Sequence, residues 1–371
     1  MVTSPGRPRA ARRALLLVSL GAAAAAGALA LVVAVLVGYH FATHGRTPPI
    51  RDSAGREVPG SAASLERVAL GGVPQSILIR GRSPRNPVVL FLHGGPGLPA
   101  VCLSHAWQRT LEDDFVVVQW DRRGVGKSYF GDIPSRYLTV RRLLDDTYEL
   151  VNFLRGRFGQ DRLILVGHSW GTYLGMLAVR ERPEMFRAYV GVGQLSGSGR
   201  GDTALQRARL EFVRREAARR GEAEAERELG RQGGEAVSEW VVRFGGELRG
   251  AGSWWPLARV MLASPECTLA DVYGAVKGAE LYRRSLVYDV PSDTLDVDVT
   301  RVEVPVYFVA GRQDYVVPSE LAERYFSVLR APRKAWFWFE GSAHYAFLEE
   351  PVRFAQVMRQ VAAETAPGQA R

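Results

Sequence analysis

Arg162-Leu163-Ile164-Leu165-Val166 runs directly into Gly167-His168-Ser169-Trp170-Gly171, and this junction decides how the chain is read. The apolar run has the length and boundaries of a buried strand, and the pentapeptide has the Gly-x-Ser-x-Gly spacing of a nucleophile elbow. A strand-to-helix reversal that tight forces the serine into a strained backbone conformation. Glycines two residues to either side remove the side chains that would collide there. Ser169 Oγ is therefore expected to stand clear of the sheet.

A serine hydroxyl is a poor nucleophile at neutral pH, so an elbow implies a general base and a carboxylate that orients it. The chain holds six histidines. His40 and His44 follow an N-terminal apolar segment, His93 precedes a glycine-rich turn, His168 adjoins the serine, and His105 lies before it. In elbow folds the partners follow the serine in the order acid, then histidine, which leaves His344 as the base. Open α/β sheets gather their chemistry at the carboxyl ends of strands. Val304-Pro-Val-Tyr-Phe-Val-Ala310 is such a strand and leads through Gly311-Arg-Gln to Asp314, the candidate acid. A helix is expected from about Ser319 to Leu329, then a strand from Lys334 to Phe339, then Glu340-Gly-Ser-Ala-His344.

A tetrahedral intermediate carries negative charge that pre-aimed N–H groups stabilise. Pro87-Val-Val-Leu-Phe-Leu92 followed by His93-Gly94-Gly95-Pro96-Gly97 supplies a suitable turn, because glycines let backbone amides approach a substrate oxygen. The backbone amides of Gly95 and Trp170 are the expected donors, with His93, Gly94, Pro96 and Gly97 as the supporting loop. Gly124-Val-Gly126-Lys127-Ser128, after the strand Phe115 to Trp120, superficially suggests a phosphate-binding loop. That motif needs glycine five residues before Gly126, where Asp121 stands. Residues 121–128 therefore read as a structural loop beside the oxyanion turn.

Strands and helices alternate from Val68 to Val192 and resume at Val304, the pattern of a mostly parallel sheet flanked by helices. Residues 64–195 and 301–365 are expected to form the two parts of this α/β core, with a tail at 366–371. Residues 196–300 read differently. Thr203 to Leu229 is rich in Glu, Arg and Ala, with apolar Leu205, Leu210, Phe212 and Val213, which suggests amphipathic helices of an inserted cap. Trp240, Trp254, Trp255, Tyr273, Tyr282 and Tyr288 are candidates for lining an apolar pocket beneath it.

Ala14 to Val37 contains no charged residue. As a helix its roughly 24 residues reach about 36 Å, enough to cross a bilayer. Arg7, Arg9, Arg12 and Arg13 precede it, so the positive-inside tendency keeps residues 1–13 cytoplasmic and places everything after Gly38 outside. Residues 14–37 are thus expected to be a single-pass signal-anchor in the cell membrane and residues 38–63 a linker. Secretion after signal cleavage is the alternative, since small residues surround Ala22 to Ala30. Part of the net charge of +9 is these arginines, and no zinc-finger spacing or basic-aromatic array points to nucleic acid. Cys102 and Cys267 are the two cysteines, in a domain where a disulfide is permitted. No metal or other cofactor is implied.

Four blocks, His93-Gly-Gly-Pro-Gly97, Asp121-Arg-Arg-Gly-Val-Gly-Lys-Ser128, Gly167-His-Ser-Trp-Gly171, and Gly311-Arg-Gln-Asp314 with Gly-Ser-Ala-His344, resemble the α/β-hydrolase superfamily and within it the prolyl iminopeptidase-like serine peptidases. The resemblance spans about Val68 to Ala363. It implies an α/β-hydrolase fold with Ser169 as nucleophile, Asp314 as acid and His344 as base, and with Trp170 and the His93 to Gly97 loop at the oxyanion hole. The chain departs from it at Arg122, where the family usually shows glutamine. Iminopeptidases of this kind hold the substrate's free amine with cap carboxylates. Glu211, Glu216, Glu266, Asp271 and Glu280 are all available and none is singled out. The expected activity is that of a serine hydrolase releasing N-terminal residues from small peptides. An esterase or amidase acting on small acyl substrates and a catalytically silent membrane-tethered binding module are the alternatives.

Overall fold

The computed structural model describes residues 9–95, 97–131, 133–197, 203–232, 234–285 and 295–366. Expectations for residues 1–8, Pro96, Tyr288 and residues 367–371 lie outside these. The chain forms two compact units, Met1–Gly45 and Arg46–Arg371.

The first unit is a single helix, Arg9–Thr43, longer at both ends than the span expected from hydropathy. Its window Leu17–Val35 has a mean hydropathy of 2.3 with none of it buried. At about 1.5 Å per residue that window reaches roughly 28 Å, close to the thickness of a bilayer's hydrocarbon core. By length and composition it suits either a membrane span or a signal sequence.

The second unit is built on eight strands: β1 (Ala62–Leu70), β2 (Val73–Gly81), β3 (Val88–Leu92), β4 (Val116–Asp121), β5 (Leu163–His168), β6 (Phe186–Val192), β7 (Val306–Gly311) and β8 (Lys334–Phe339). Their order is β1-β2-β4-β3-β5-β6-β7-β8. β2 runs antiparallel to both its neighbours, whereas β3 to β8 pair in parallel. Every residue of β3, β4 and β5 is buried, which suits their largely apolar sequences, because a parallel sheet is covered on both faces. The pleat divides them. Val88, Leu90 and Leu92 enter the core on one face, and Val89 and Phe91 the core on the other.

Helices Thr203–Arg220, Ala223–Gln232, Gly234–Arg243, Trp255–Ala263 and Leu269–Arg284 lie between β6 and β7 and form the cap. The first three share a small core of their own that includes Phe212, Val213, Val237, Trp240 and Phe244. Leu269–Arg284 is instead fastened to the body. Cys102 and Cys267 form a disulfide just before it. Lys127 Nζ donates to Asp271 Oδ2 at 2.7 Å and to Glu266 O at 2.9 Å, and Tyr282 OH donates to Arg123 O at 3.0 Å. Glycine permits the close fit, since a Cβ on Gly278 would stand 2.6 Å from Gly124 O. Trp240 and Tyr282 are thus packing residues, while Trp254, Trp255 and Tyr273 are exposed.

Residues 46–61 also bind the body. Arg46 N donates to Pro265 O at 3.2 Å, Thr47 Oγ1 to Glu266 Oε1 at 3.1 Å, and Arg80 Nη1 to Pro48 O at 2.5 Å.

Candidate active site

β5 ends at His168, and the helix Trp170–Glu181 starts two residues later, so Ser169 sits alone at the reversal. Its backbone has φ 51° and ψ −124°, and among the described residues it is the one non-glycine with positive φ. Such a conformation costs on the order of 1–3 kcal/mol and persists only where the surroundings over-determine it. They do so here. Ser169 N donates to Val192 O at 3.0 Å, and Ser169 O accepts from Thr172 N at 2.8 Å. A Cβ on Gly171 would lie 2.1 Å from Leu92 O, and one on Gly167 would lie 2.7 Å from Gly171 O, which is why both flanking positions are glycine. Ser169 is half-buried while His168 and Trp170 are buried, so the turn lifts it above its neighbours.

Asp314 follows β7 and His344 follows β8. The two loops interlock, because a Cβ on Gly311 would lie 1.9 Å from Ala343 O. His344 Nδ1 and Asp314 Oδ2 are 2.8 Å apart, and both side chains are almost wholly buried. The other carboxylate oxygen, Oδ1, accepts from Val317 N at 2.8 Å. With Nδ1–H donated to Asp314, the His344 lone pair resides on Nε2. Gly193, after β6, forms the floor beneath the pair: a Cβ there would lie 3.0 Å from the His344 ring and 3.2 Å from Asp314 Oδ2. His168 Nε2 donates to His344 O at 3.0 Å, and the two rings lie 4.6 Å apart, so the residue before the serine packs against the His344 loop.

The loop after β3 lies against the serine, since a Cβ on Gly94 would stand 2.8 Å from Ser169 Cβ. Gly95 has φ 107°, a region that suits glycine. His93 is buried and its pKa is held well below 6.5, by burial first and then by the neighbouring Arg122, so it is neutral. Asp121 gathers amides from two segments: it accepts from Ala100 N at 2.9 Å and Val101 N at 3.1 Å and, within the loop at 121–128, from Lys127 N at 3.0 Å. Burial pushes the Asp121 pKa up to about 6 against those bonds.

Residues 87–351 match the family model for the alpha/beta hydrolase fold. The chain belongs to the α/β-hydrolase family. This α/β hydrolase is 31% identical over 310 residues to the probable aminopeptidase YbaC of Bacillus subtilis (strain 168), covering 80% of this chain and 96% of that protein. It is 24% identical over 272 residues to the proline iminopeptidase of Heyndrickxia coagulans, covering 73% and 88%. The crystal structure of the proline iminopeptidase of Mycobacterium smegmatis matches with a TM-score of 0.62 at 17% identity, over 81% of this chain and 98% of that one. At that identity the likeness is one of fold.

The cap of the α/β hydrolase reaches the His344–Asp314 pair through groups that the sequence does not single out. Gly246 O accepts from Tyr315 N at 2.9 Å and Glu247 O accepts from His344 N at 2.9 Å. Consecutive cap carbonyls thereby hold the loops of both side chains. The Glu247 carboxyl is itself buried, bonds to Tyr345 and faces His344, Arg209 and Asp314. Arg209, from the first cap helix, donates Nε to Val316 O at 2.8 Å. The five cap carboxylates considered from sequence are elsewhere engaged or exposed. Glu216 pairs with Arg219, Asp271 with Lys127 and Glu280 with Arg284, Glu266 accepts from Ser264 Oγ, and Glu211 is exposed. The doubled glycine before Glu247 is the one local hint of its setting, as a Cβ on Gly246 would lie 2.8 Å from Tyr315 Cβ. Among the described residues no group of three or more His, Cys, Asp or Glu could hold a metal ion.

Burial alone would lower the His344 pKa, but the Asp314 carboxylate and, beyond it, Glu247 outweigh that and raise it above 6.5. Burial pushes Glu247 up to about 7, and its negative charge is among the causes that raise His344. A base must be neutral to accept a proton. Activity is therefore expected to fall as pH drops through a value above 6.5. Glu247→Gln removes a negative charge that favours the imidazolium, so the acidic limb of kcat/KM should move to lower pH. A pH profile unchanged by Glu247→Gln would rule out this coupling.

Proposed function

We propose that this α/β hydrolase is a serine hydrolase with aminopeptidase activity of the prolyl iminopeptidase kind, working through an acyl-enzyme. The observation that carries the reading is the buried 2.8 Å contact between His344 Nδ1 and Asp314 Oδ2, at the same end of the sheet as the strained Ser169. His344 Nε2 takes the Ser169 proton as Oγ attacks the substrate carbonyl carbon. The backbone N–H groups of Gly95 and Trp170 hold the oxyanion, with the loop His93 to Gly97 supporting them. His344 returns the proton to the leaving amine, and water, activated by the same imidazole, releases the acyl group. Asp314 holds the imidazole in the tautomer and orientation this needs and stabilises the imidazolium. The peptide preference is supported by the names of the relatives. Residues 14–37 tether the enzyme to a bilayer with the catalytic unit on the extracytoplasmic side, a reading supported by the apolar window at Leu17–Val35 and the arginines before it.

A fluorophosphonate probe should label the wild-type protein and leave Ser169→Ala unlabelled. Proline-naphthylamide and short acyl esters, assayed side by side, should show the arylamide turned over with the higher kcat/KM. An unlabelled wild-type protein would end the enzymatic reading, and a preference for the ester would replace the peptidase with an esterase. Release of the full chain from membranes by carbonate, or a mature N-terminus beyond residue 37, would exclude the anchor.

A further inference from the structure

We propose that Arg122 is a positioning residue of the oxyanion hole, a buried cation that fixes the peptide carrying the Gly95 N–H and adds positive potential where the oxyanion forms. The inference rests on the hydrolytic reading above.

Arg122 follows β4 directly and its side chain is fully buried. Nη2 donates to His93 O at 2.7 Å and lies 3.0 Å from His93 Nδ1 and 3.5 Å from Gly94 O, which His93 Nδ1 approaches to 2.9 Å, so the guanidinium and the His93 ring hold this peptide together. The centre of the guanidinium stands 5.2 Å from the Trp170 ring, over its face. One side chain therefore touches both segments that supply the expected oxyanion donors: the His93-Gly94 stretch by hydrogen bonding and Trp170 by stacking.

The direction of the contact matters. Gly94 O and Gly95 N belong to one peptide group, whose dipole points from oxygen to N–H. A cation on the oxygen side favours the orientation in which the N–H faces away from it, and we take that side to be the substrate's. The Arg122 guanidinium keeps its charge in any protein setting. Burying that charge costs free energy, and the carbonyl bonds alone are ones that a neutral amide donor could make. Charge has a use here because negative charge develops on the substrate oxygen only at the tetrahedral stage, in a site where the dielectric is low. Arg122 would accordingly act on the transition state and leave ground-state binding nearly untouched.

The test uses the detergent-solubilised full chain and whichever arylamide or ester the wild-type protein hydrolyses. Arg122→Gln keeps a donor and removes the charge. Its kcat should fall by about 10- to 100-fold with KM within about twofold, and affinity for a phenylboronic acid, which forms a tetrahedral anion on the serine, should fall by the same factor. Arg122→Lys, which restores the charge, should recover most of both losses. Thermal melting separates these effects from loss of fold. If Arg122→Gln does not fold, Arg122→Lys carries the test alone, since any loss it shows must appear in kcat and boronate affinity together. A folded Arg122→Gln with wild-type kcat, or a loss confined to KM, would overturn the proposal. A wild-type protein that neither turns over substrate nor takes up fluorophosphonate would instead overturn the hydrolytic reading itself.

Discussion

Ser169→Ala and His344→Ala are each expected to lower kcat by about 10⁶, and Asp314→Asn by about 10⁴, with folding preserved. On the proposed mechanism the first two remove the nucleophile or the group that activates it, so each should abolish the whole acyl-transfer route. Combining them should cost little more than either alone, because residues acting as one unit do not add. Asp314→Asn is milder because the imidazole remains, but the amide that replaces Oδ2 can present a donor to Nδ1 and so favour the wrong tautomer. The 2.8 Å contact is where that reversal would act. Stability should change little at Ser169, whose backbone hydrogen bonds to Val192 and Thr172 do not involve its hydroxyl. Single-turnover kinetics on the purified variants would measure the losses. An Asp314→Asn enzyme within tenfold of wild type would show that a different carboxyl orients the base, and Glu247 would be the first to examine.

The second large effect concerns stability. Cys102 and Cys267 are 165 residues apart in sequence and join the short helix Val101–Ser104, which follows the glycine loop after β3, to the cap. Closing so long a loop restricts the unfolded chain strongly, and replacing both cysteines by alanine should cost about 2–5 kcal/mol. For the 46–371 unit this corresponds to a fall of about 3–7 °C in Tm, measured by calorimetry under conditions where unfolding is reversible. Reduction of the wild-type protein should reproduce the fall, and the double variant should be indifferent to reductant. A double variant that melts with the wild-type protein would mean that the lysine, tyrosine and glycine contacts of helix Leu269–Arg284 already hold the cap in place.

Much of the core was legible because its signals are local. The apolar runs at 87–92, 115–120, 162–166, 304–310 and 334–339 are the parallel strands β3, β4, β5, β7 and β8 to within two residues. The glycine spacing around Ser169 and the loop at 121–128 could likewise be read from neighbouring residues, although the burial of Asp121 could not. Other features depend on contacts that no local pattern encodes. Glu247 has the composition of a solvated loop residue, and it is buried because a cap loop closes over the carboxyl ends of β7 and β8. Arg122 is one of two arginines in a row: Arg123 forms a buried ion pair with Asp146, whereas Arg122 turns under the glycine loop. Neither destination follows from the dipeptide. The cysteine pairing required the distance between two segments that sequence leaves unrelated.

β6 and β7 are neighbours in the sheet, with Tyr189 beside Val306, although the whole cap is spliced between them. The sheet pairs directly across the insertion, so on the proposed function recognition and chemistry would occupy separate stretches of chain, and a foreign cap grafted at the same seam would meet an intact sheet. The carbonyls of Gly246 and Glu247 limit that freedom. A chimaera whose new cap brings no acceptors to Tyr315 N and His344 N would leave the imidazole on an untethered loop, and would lose turnover before it could display a new substrate range.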